Sequence, residues 1–404
     1  MNVMTPSLAY PSRSCAVCGC TDKRLLYEQS FLSFSGGLLD GYDVVSCTRC
    51  GFCYADHLPD QEAFDRYYGE MSKYEYANQG GRESSYDLAK FQEIAALLQP
   101  FFRSHQDRIL EVGCATGGLL GLIKAAGYPN VLGMDPSPAC VSAATALYGV
   151  PAITGTLSCM NLPRRSQDFL ILSGVLEHVR DLDSALRRLS DVLVDEGRLL
   201  IAVPDGSRYA EGEDAPFQEF SIEHINFFGP DSLTNLLNGY GFRCIFCDQR
   251  MMAVNYRTAT PVILAVFEKL PDDHATVAVK HDTRSSDGLE RYVAKSLEDD
   301  KIIQSAIDLL AEEQTPFMVW GIGAHTLRLL ETSRLGDACI TAFIDSNVRL
   351  QDKQLRGVPI LAPDAVHGRP EPILISSRVY QHEIASRIRD EMGLPNRLIL
   401  LYMI

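Results

Sequence analysis

Ile109-Leu110-Glu111-Val112-Gly113-Cys114-Ala115-Thr116-Gly117-Gly118-Leu119-Leu120 decides how this chain is read. An apolar run of strand length stops at a glycine cluster, and a helical apolar pattern begins directly after it. Glycine lets a loop backbone approach a ligand closely, and the helix start presents unpaired N–H groups to it. The next apolar run, Val131-Leu-Gly-Met-Asp135, ends on a carboxylate. At that place a carboxylate can accept two ribose hydroxyls, as in nucleotide-binding α/β folds. The spacing of Glu111, Gly113 and Gly117 is ExGxxxG, which differs from the GxGxxG of dinucleotide binders.

Outward from this loop the chain alternates strands and helices. From Arg108 to about Leu270 the strands read RILEVG, VLGMD, FLILSG, RLLIAVP, FRCIFCD and VILAVFEKL. Such alternation predicts an α/β fold, a mostly parallel sheet covered on both faces. The last two strands lack a helix between them and predict an antiparallel edge hairpin. A second, smaller α/β set starts at Pro316 with FMVWGIG, the helix HTLRLLE, CITAFIDS and PILISS.

Toward the N-terminus stand two knuckles, Cys15-Ala-Val-Cys18-Gly and Cys47-Thr-Arg-Cys50-Gly. Each CxxC turn points two sulfurs at one centre, and four thiolates make a closed tetrahedral set for a structural Zn²⁺. Cys20 and Cys53 read as packing thiols. The expected organisation is a zinc-binding module over residues 1–60, and a nucleotide-binding α/β domain with N-terminal lid helices over 61–270. A linker and helix over 271–300 and a C-terminal Rossmann-like domain over 301–404 complete it.

Composition excludes other classes. The chain has 404 residues, 37 Lys and Arg against 52 Asp and Glu, and a formal net charge of -15. That balance argues against a nucleic-acid partner held by phosphate neutralisation. No apolar run approaches the ~20 residues that span a bilayer. The first residues lack a charged start followed by an apolar stretch, so the expected location is the cytoplasm, where thiols stay reduced. The expected state is a monomer or small homo-oligomer.

The motif order resembles that of class I S-adenosylmethionine (SAM) methyltransferases. The resemblance makes Glu111, Gly113, Cys114, Gly117 and Asp135 cofactor-binding. Gly155–Pro163, with Asn161 and Leu162, resembles the segment that frames the adenine. Phe169–Val179, with Ser173, resembles the fourth strand and the turn beside the methionine end. His178 in that turn reads as a structural residue. No Asp/Asn-Pro-Pro-Tyr/Phe and no Pro-Cys follows the strand, which points to a small-molecule acceptor.

The three-part order of cysteine module, SAM domain and second Rossmann-like domain is similar to that of nucleotide-deoxysugar C-methyltransferases. Trp320-Gly321-Ile-Gly323-Ala324, Phe343-Ile-Asp345 and Gly357-Val-Pro-Ile360 carry the C-terminal part of the likeness. The resemblance implies a nucleotide-linked 4-ketosugar as substrate. A base removes the proton beside the ketone, and the enolate takes the methyl group. It makes His224 the base, Glu223 the residue that orients or charge-tunes it, and Tyr76 a donor to the sugar. Ser221 stands where the family has a tyrosine. Two alternatives stay open: a methyltransferase of the same architecture acting on O, N or C of another metabolite, and a non-catalytic zinc-bearing scaffold.

Overall fold

The computed structural model describes residues 10–34, 37–70, 83–255, 257–271 and 277–402. Contacts divide the chain into two units. The first holds the described residues up to Leu26, with Asp43–Gly212 and Glu223–Leu289. The second holds Tyr27–Tyr42, Glu213–Ile222 and the described residues from Glu290 onward.

A seven-stranded sheet organises the first unit. Its spatial order is Phe242–Ala253, Ala259–Lys269, Leu193–Pro204, Gln167–Ser173, Ile109–Val112, Val131–Asp135 and Ala152–Thr154. The last five are parallel, and Ala259–Lys269 pairs antiparallel on both sides. Both faces are covered, so alternate residues of one strand enter different cores. Leu110, Leu170, Leu172, Leu199 and Ile201 face the helix Leu182–Val192. Ile109, Phe169, Ile171 and Leu200 pack with Leu120, Ile123, Ile94 and Leu98. Each such side chain contributes roughly 1.5–3 kcal/mol by leaving water. This is why the strands appear in sequence as continuous apolar runs.

Ile109–Val112 lies between Val131–Asp135 and Gln167–Ser173. The chain order reverses there, and a parallel sheet opens a crevice at such a point beyond its strand ends. Ser137 caps the helix Pro138–Tyr148 by accepting from the Cys140 N–H, and Asp181 caps Leu182–Val192 through the Ser184 N–H.

The cysteine segment is not a module apart. A four-stranded sheet runs Lys23–Ser30, Gly41–Cys47, Cys53–Asp56, Asn226–Phe227. Its last strand comes from far along the chain, pairing Cys53 with Phe227 and Tyr54 with Asn226. Val45, Phe52 and Tyr54 share one buried cluster with Val112, Leu172 and Leu186. The expected boundary at residue 60 is therefore not a boundary of packing. The segment expected as linker and helix carries the start of a 31-residue helix, Thr283–Glu313.

The second unit has its own sheet, ordered Gln354–Leu355, Val358–Leu361, Ile340–Ile344, Phe317–Trp320, Ile373–Ile375, Leu398–Leu400. All but the first pair run parallel. Asp345 accepts the N–H groups of Ile322 and Asn347, both at 2.8 Å. Among the described residues no helix is long and apolar enough to cross a membrane.

Candidate active site

The cleft at the reversal of strand order is built from the ends of four neighbouring strands. Gly113 follows the first, Asp135 ends the second, Gly155–Leu157 follow the third, and Ser173–Val175 close the fourth. Together with Gln61, Asp65 and Tyr68 of the helix Gln61–Glu70, and with His178 and Glu223, they enclose about 950 Å³, part of it open to solvent.

Gly113 has φ +72, and a Cβ on it would stand 2.6 Å from Val175 Cγ2. Any side chain would strain the backbone and press on the cleft wall. Asp135 fixes the loop: its Oδ2 accepts the Ala115 N–H and its Oδ1 the Ser137 N–H, both at 2.9 Å. Above the loop, Glu83 accepts from Thr116 Oγ1 at 2.7 Å and from the Tyr148 hydroxyl. The missing Cβ and the strand-end carboxylate fit a nucleoside with a flexible tail.

Several expected cofactor residues stand elsewhere. Gly113, Asp135 and Ser173 line the cleft, whereas Glu111, Cys114, Gly117, Asn161 and Leu162 are outside its wall. Gly117 serves the turn, since a Cβ there would meet Ala144 Cβ at 2.9 Å. Cys114 is buried, with its sulfur beside Gly133. Glu111 is buried in the sheet, where desolvation, then Asp135, pushes its carboxyl up to about 8. Asn161 is exposed and Leu162 packs partly against the core, so Gly155, Thr156 and Leu157 supply that wall instead. Tyr76, expected as a donor to the sugar, lies outside the described residues.

A second group meets at the same cleft. Asn226 is fully buried, and its Nδ2 donates to the carbonyls of Leu176 at 2.9 Å and Val179 at 2.7 Å. Its Oδ1 accepts from Arg13 Nη2 at 2.8 Å. The Ile225 N–H donates to the Glu177 carbonyl at 2.8 Å. These bonds seat the turn Leu176–His178 against Glu223–Asn226 and bring two histidines together. The rings of His178 and His224 are 5.1 Å apart, edge to face.

His178 Nδ1 is 3.0 Å from the Glu223 carbonyl and 3.0 Å from the Tyr68 hydroxyl. A carbonyl can only accept, so Nδ1 carries the proton and Nε2 of the neutral ring holds the lone pair. Glu177 Oε1 is 3.8 Å from Nε2. Tyr67 donates its hydroxyl to Glu223 Oε1 at 3.2 Å. Desolvation, then Glu223, holds the Tyr68 phenol well above its usual range, so it stays protonated. The sequence makes His178 a structural residue; the structure puts it in the cleft wall together with Tyr68 of the helix Gln61–Glu70.

The four expected cysteine ligands converge. Cys15 Sγ is 3.4 Å from Cys50 Sγ, Cys18 Sγ is 3.5 Å from Cys47 Sγ, and all four lie within 4.8 Å of one another. Four sulfurs at about 2.3 Å from one ion would be spaced about 3.8 Å apart, so the set fits a tetrahedral cation. Gly51 allows the second knuckle: with φ +78, a Cβ on it would stand 1.9 Å from the Asp282 carbonyl oxygen.

Comparison with known proteins agrees with this geometry. Residues 86–245 match the family model described as a methyltransferase domain. A probable S-adenosylmethionine-dependent methyltransferase of Mycobacterium tuberculosis is 29% identical over 135 residues, 33% of this chain and 48% of the relative. EEF1A lysine methyltransferase 4 of Mus musculus is 29% identical over 171 residues, 37% of this chain and 66% of the relative. Among solved structures, the 1,6-didemethyltoxoflavin-N1-methyltransferase of Burkholderia thailandensis is 16% identical. That match covers 55% of this chain and 97% of the other, with a TM-score of 0.42. The chain spans about half the length of the mycobacterial relatives it matches. It contains a class I, SAM-dependent methyltransferase domain with the α/β sheet of that class.

Proposed function

We propose that the chain methylates carbon in a nucleotide-linked 4-keto-deoxysugar. One observation carries the reading: Glu223 and His178 line the same cleft as Gly113 and Asp135, and the ring of His224, itself outside the cleft wall, stands 5.1 Å from that of His178. Bound SAM supplies an electrophilic methyl group on a sulfonium. Asp135 accepts the ribose hydroxyls, and the bare Gly113 leaves room for the methionine end. His224 removes the proton from the carbon beside the ketone, which makes that carbon nucleophilic. Glu223 orients the imidazole. Tyr68 and Tyr76 offer phenol O–H groups to the enolate oxygen. The proton then leaves His224 for solvent.

Cys15, Cys18, Cys47 and Cys50 hold a structural Zn²⁺ in this reading. Their knuckles border the sheet that aligns Asn226, so the ion stabilises the far side of the active site. Elemental analysis should return about one zinc per chain.

The test is solvent exchange. With a nucleotide-linked 4-ketosugar and S-adenosylhomocysteine in D₂O, the protein should exchange the proton beside the ketone. His224→Gln should slow that exchange by ~10²–10⁴-fold while retaining cofactor affinity. No exchange by the parent protein with any 4-ketosugar would overturn the substrate class and favour methylation of another metabolite.

A further inference from the structure

Among the described residues, two groups bring three or more potential metal ligands within 4.8 Å of one another. One is the four cysteines. The other is Glu177, His178 and His224, and nothing in the methyl-transfer chemistry calls for that combination. We propose that Glu177, His178 and His224 form a second, separate site for a divalent transition-metal cation.

The donor set is two imidazoles and one carboxylate, the chemistry that suits zinc, manganese or iron rather than magnesium or calcium. Its geometry is close to what an ion requires. Two ligands at 2.0–2.1 Å from a tetrahedral ion stand about 3.3 Å apart, and wider coordination angles stretch this toward 4 Å. Glu177 Oε1 and His178 Nε2 stand 3.8 Å apart, too far for a hydrogen bond and within the span an ion bridges. His178 is already set for the role. Its Nδ1–H is directed at the Glu223 carbonyl, which turns the Nε2 lone pair away from that contact and toward Glu177. Histidines that bind metals are commonly oriented by such a carbonyl.

The ligands are also held in place. Glu177 is 2% exposed, and its own carbonyl is fixed by the Ile225 N–H. His178 and His224 are half-buried on segments joined through Asn226. Since His178 lines the cleft, an ion here is reached through the cleft. The lone pair that a cation takes from His224 is the one proton removal needs. A bound cation therefore inhibits methyl transfer; that consequence rests on the reading above, while the binding does not.

Mn²⁺ titration followed by electron paramagnetic resonance tests the site. The full chain is first loaded with zinc at the cysteines, which Mn²⁺, the weakest binder of the divalent series, does not displace. About one Mn²⁺ per chain should be taken up. Glu177→Gln and His178→Gln should each weaken uptake at least tenfold, while calorimetry with SAM shows that the variants remain folded. Glu177→Asp keeps a carboxylate and should retain more affinity than Glu177→Gln. No uptake by the zinc-loaded parent up to millimolar Mn²⁺ overturns the proposal, whatever the variants do. So does uptake that all three variants leave unchanged. Uptake lost in the variants, with methyl transfer undiminished at saturating Mn²⁺, would establish the site and remove His224 from the proton step.

Discussion

Asn226→Ala should dismantle the active site without touching the cofactor loop. The side chain is 1% exposed and makes three hydrogen bonds, two from Nδ2 to the Leu176 and Val179 carbonyls and one from Arg13 to Oδ1. The first two are neutral, each worth about 1 kcal/mol net, and the charged one is worth about 1.5–3 kcal/mol. Arg13 is itself desolvated enough that its guanidinium falls to about 9, so losing a partner there is costly. Small cooperative losses apart, the substitution should cost about 3–5 kcal/mol. The turn carrying Glu177 and His178 would still be tied to the His224 segment through the Ile225 N–H and the His178 Nδ1–H.

Two measurements separate this from general damage. Amide hydrogen exchange should accelerate at Ile225 and at Ala55, whose N–H donates to the Ile225 carbonyl. SAM affinity should change by less than tenfold, because Gly113, Asp135 and Gly155–Leu157 belong to other strand ends. Substrate proton exchange should fall by at least tenfold, since displacement of a catalytic group by about 1 Å costs up to ~10²-fold. A variant within 1 kcal/mol of the parent, with those amides equally protected, would refute the claim that Asn226 assembles the site.

Asp135→Ala should weaken SAM binding by roughly 1.5–3 kcal/mol, the scale of hydrogen bonds to a charged acceptor, and unchanged calorimetric affinity would exclude the ribose role. Gly51→Ala should cost about 2–4 kcal/mol, from the left-handed backbone and the contact with Asp282, against about 1 kcal/mol for Gly19→Ala, where a Cβ meets nothing within 4 Å; equal urea midpoints would contradict this. Glu111 binds a proton in the folded state up to about pH 8 and in the unfolded state only to about pH 4.3, so its contribution to stability falls as pH rises between those values. The slope is ~1.4 kcal/mol per pH unit at most. Glu111→Gln should therefore stabilise the protein more at pH 8 than at pH 5, and urea midpoints that shift equally at both would show that this carboxyl is not strained by burial.

What a single sequence shows here depends on the range over which each feature is determined. The buried strands were legible because both faces of FLILS and RLLIAV meet apolar cores, so no polar residue interrupts them. Ala152–Thr154, Gln354–Leu355, Val358–Leu361 and Leu398–Leu400 are not legible in the sequence, because runs of two to four residues carry no period. The cysteine knuckles were legible for a local reason, since spacing and the following glycine suffice to aim two sulfurs. Within the segment Gly155–Pro163, Gly155, Thr156 and Leu157 line the cleft and Asn161 and Leu162 do not, a difference of a few residues that a loop without register does not reveal. The pairing of His178 with His224 is of another kind. It depends on Asn226 reaching carbonyls about 50 residues away, and on a strand pair between Cys53–Asp56 and Asn226–Phe227. Neither the motif around Glu177–His178 nor the one around Glu223–His224 contains that information. Each holds a glutamate beside a histidine, a dipeptide that is solvated or structural in most settings. Only the non-local backbone pairing makes the two dipeptides one site, and it does so by hydrogen bonds to main-chain carbonyls, which leave no signature in the side chains they join.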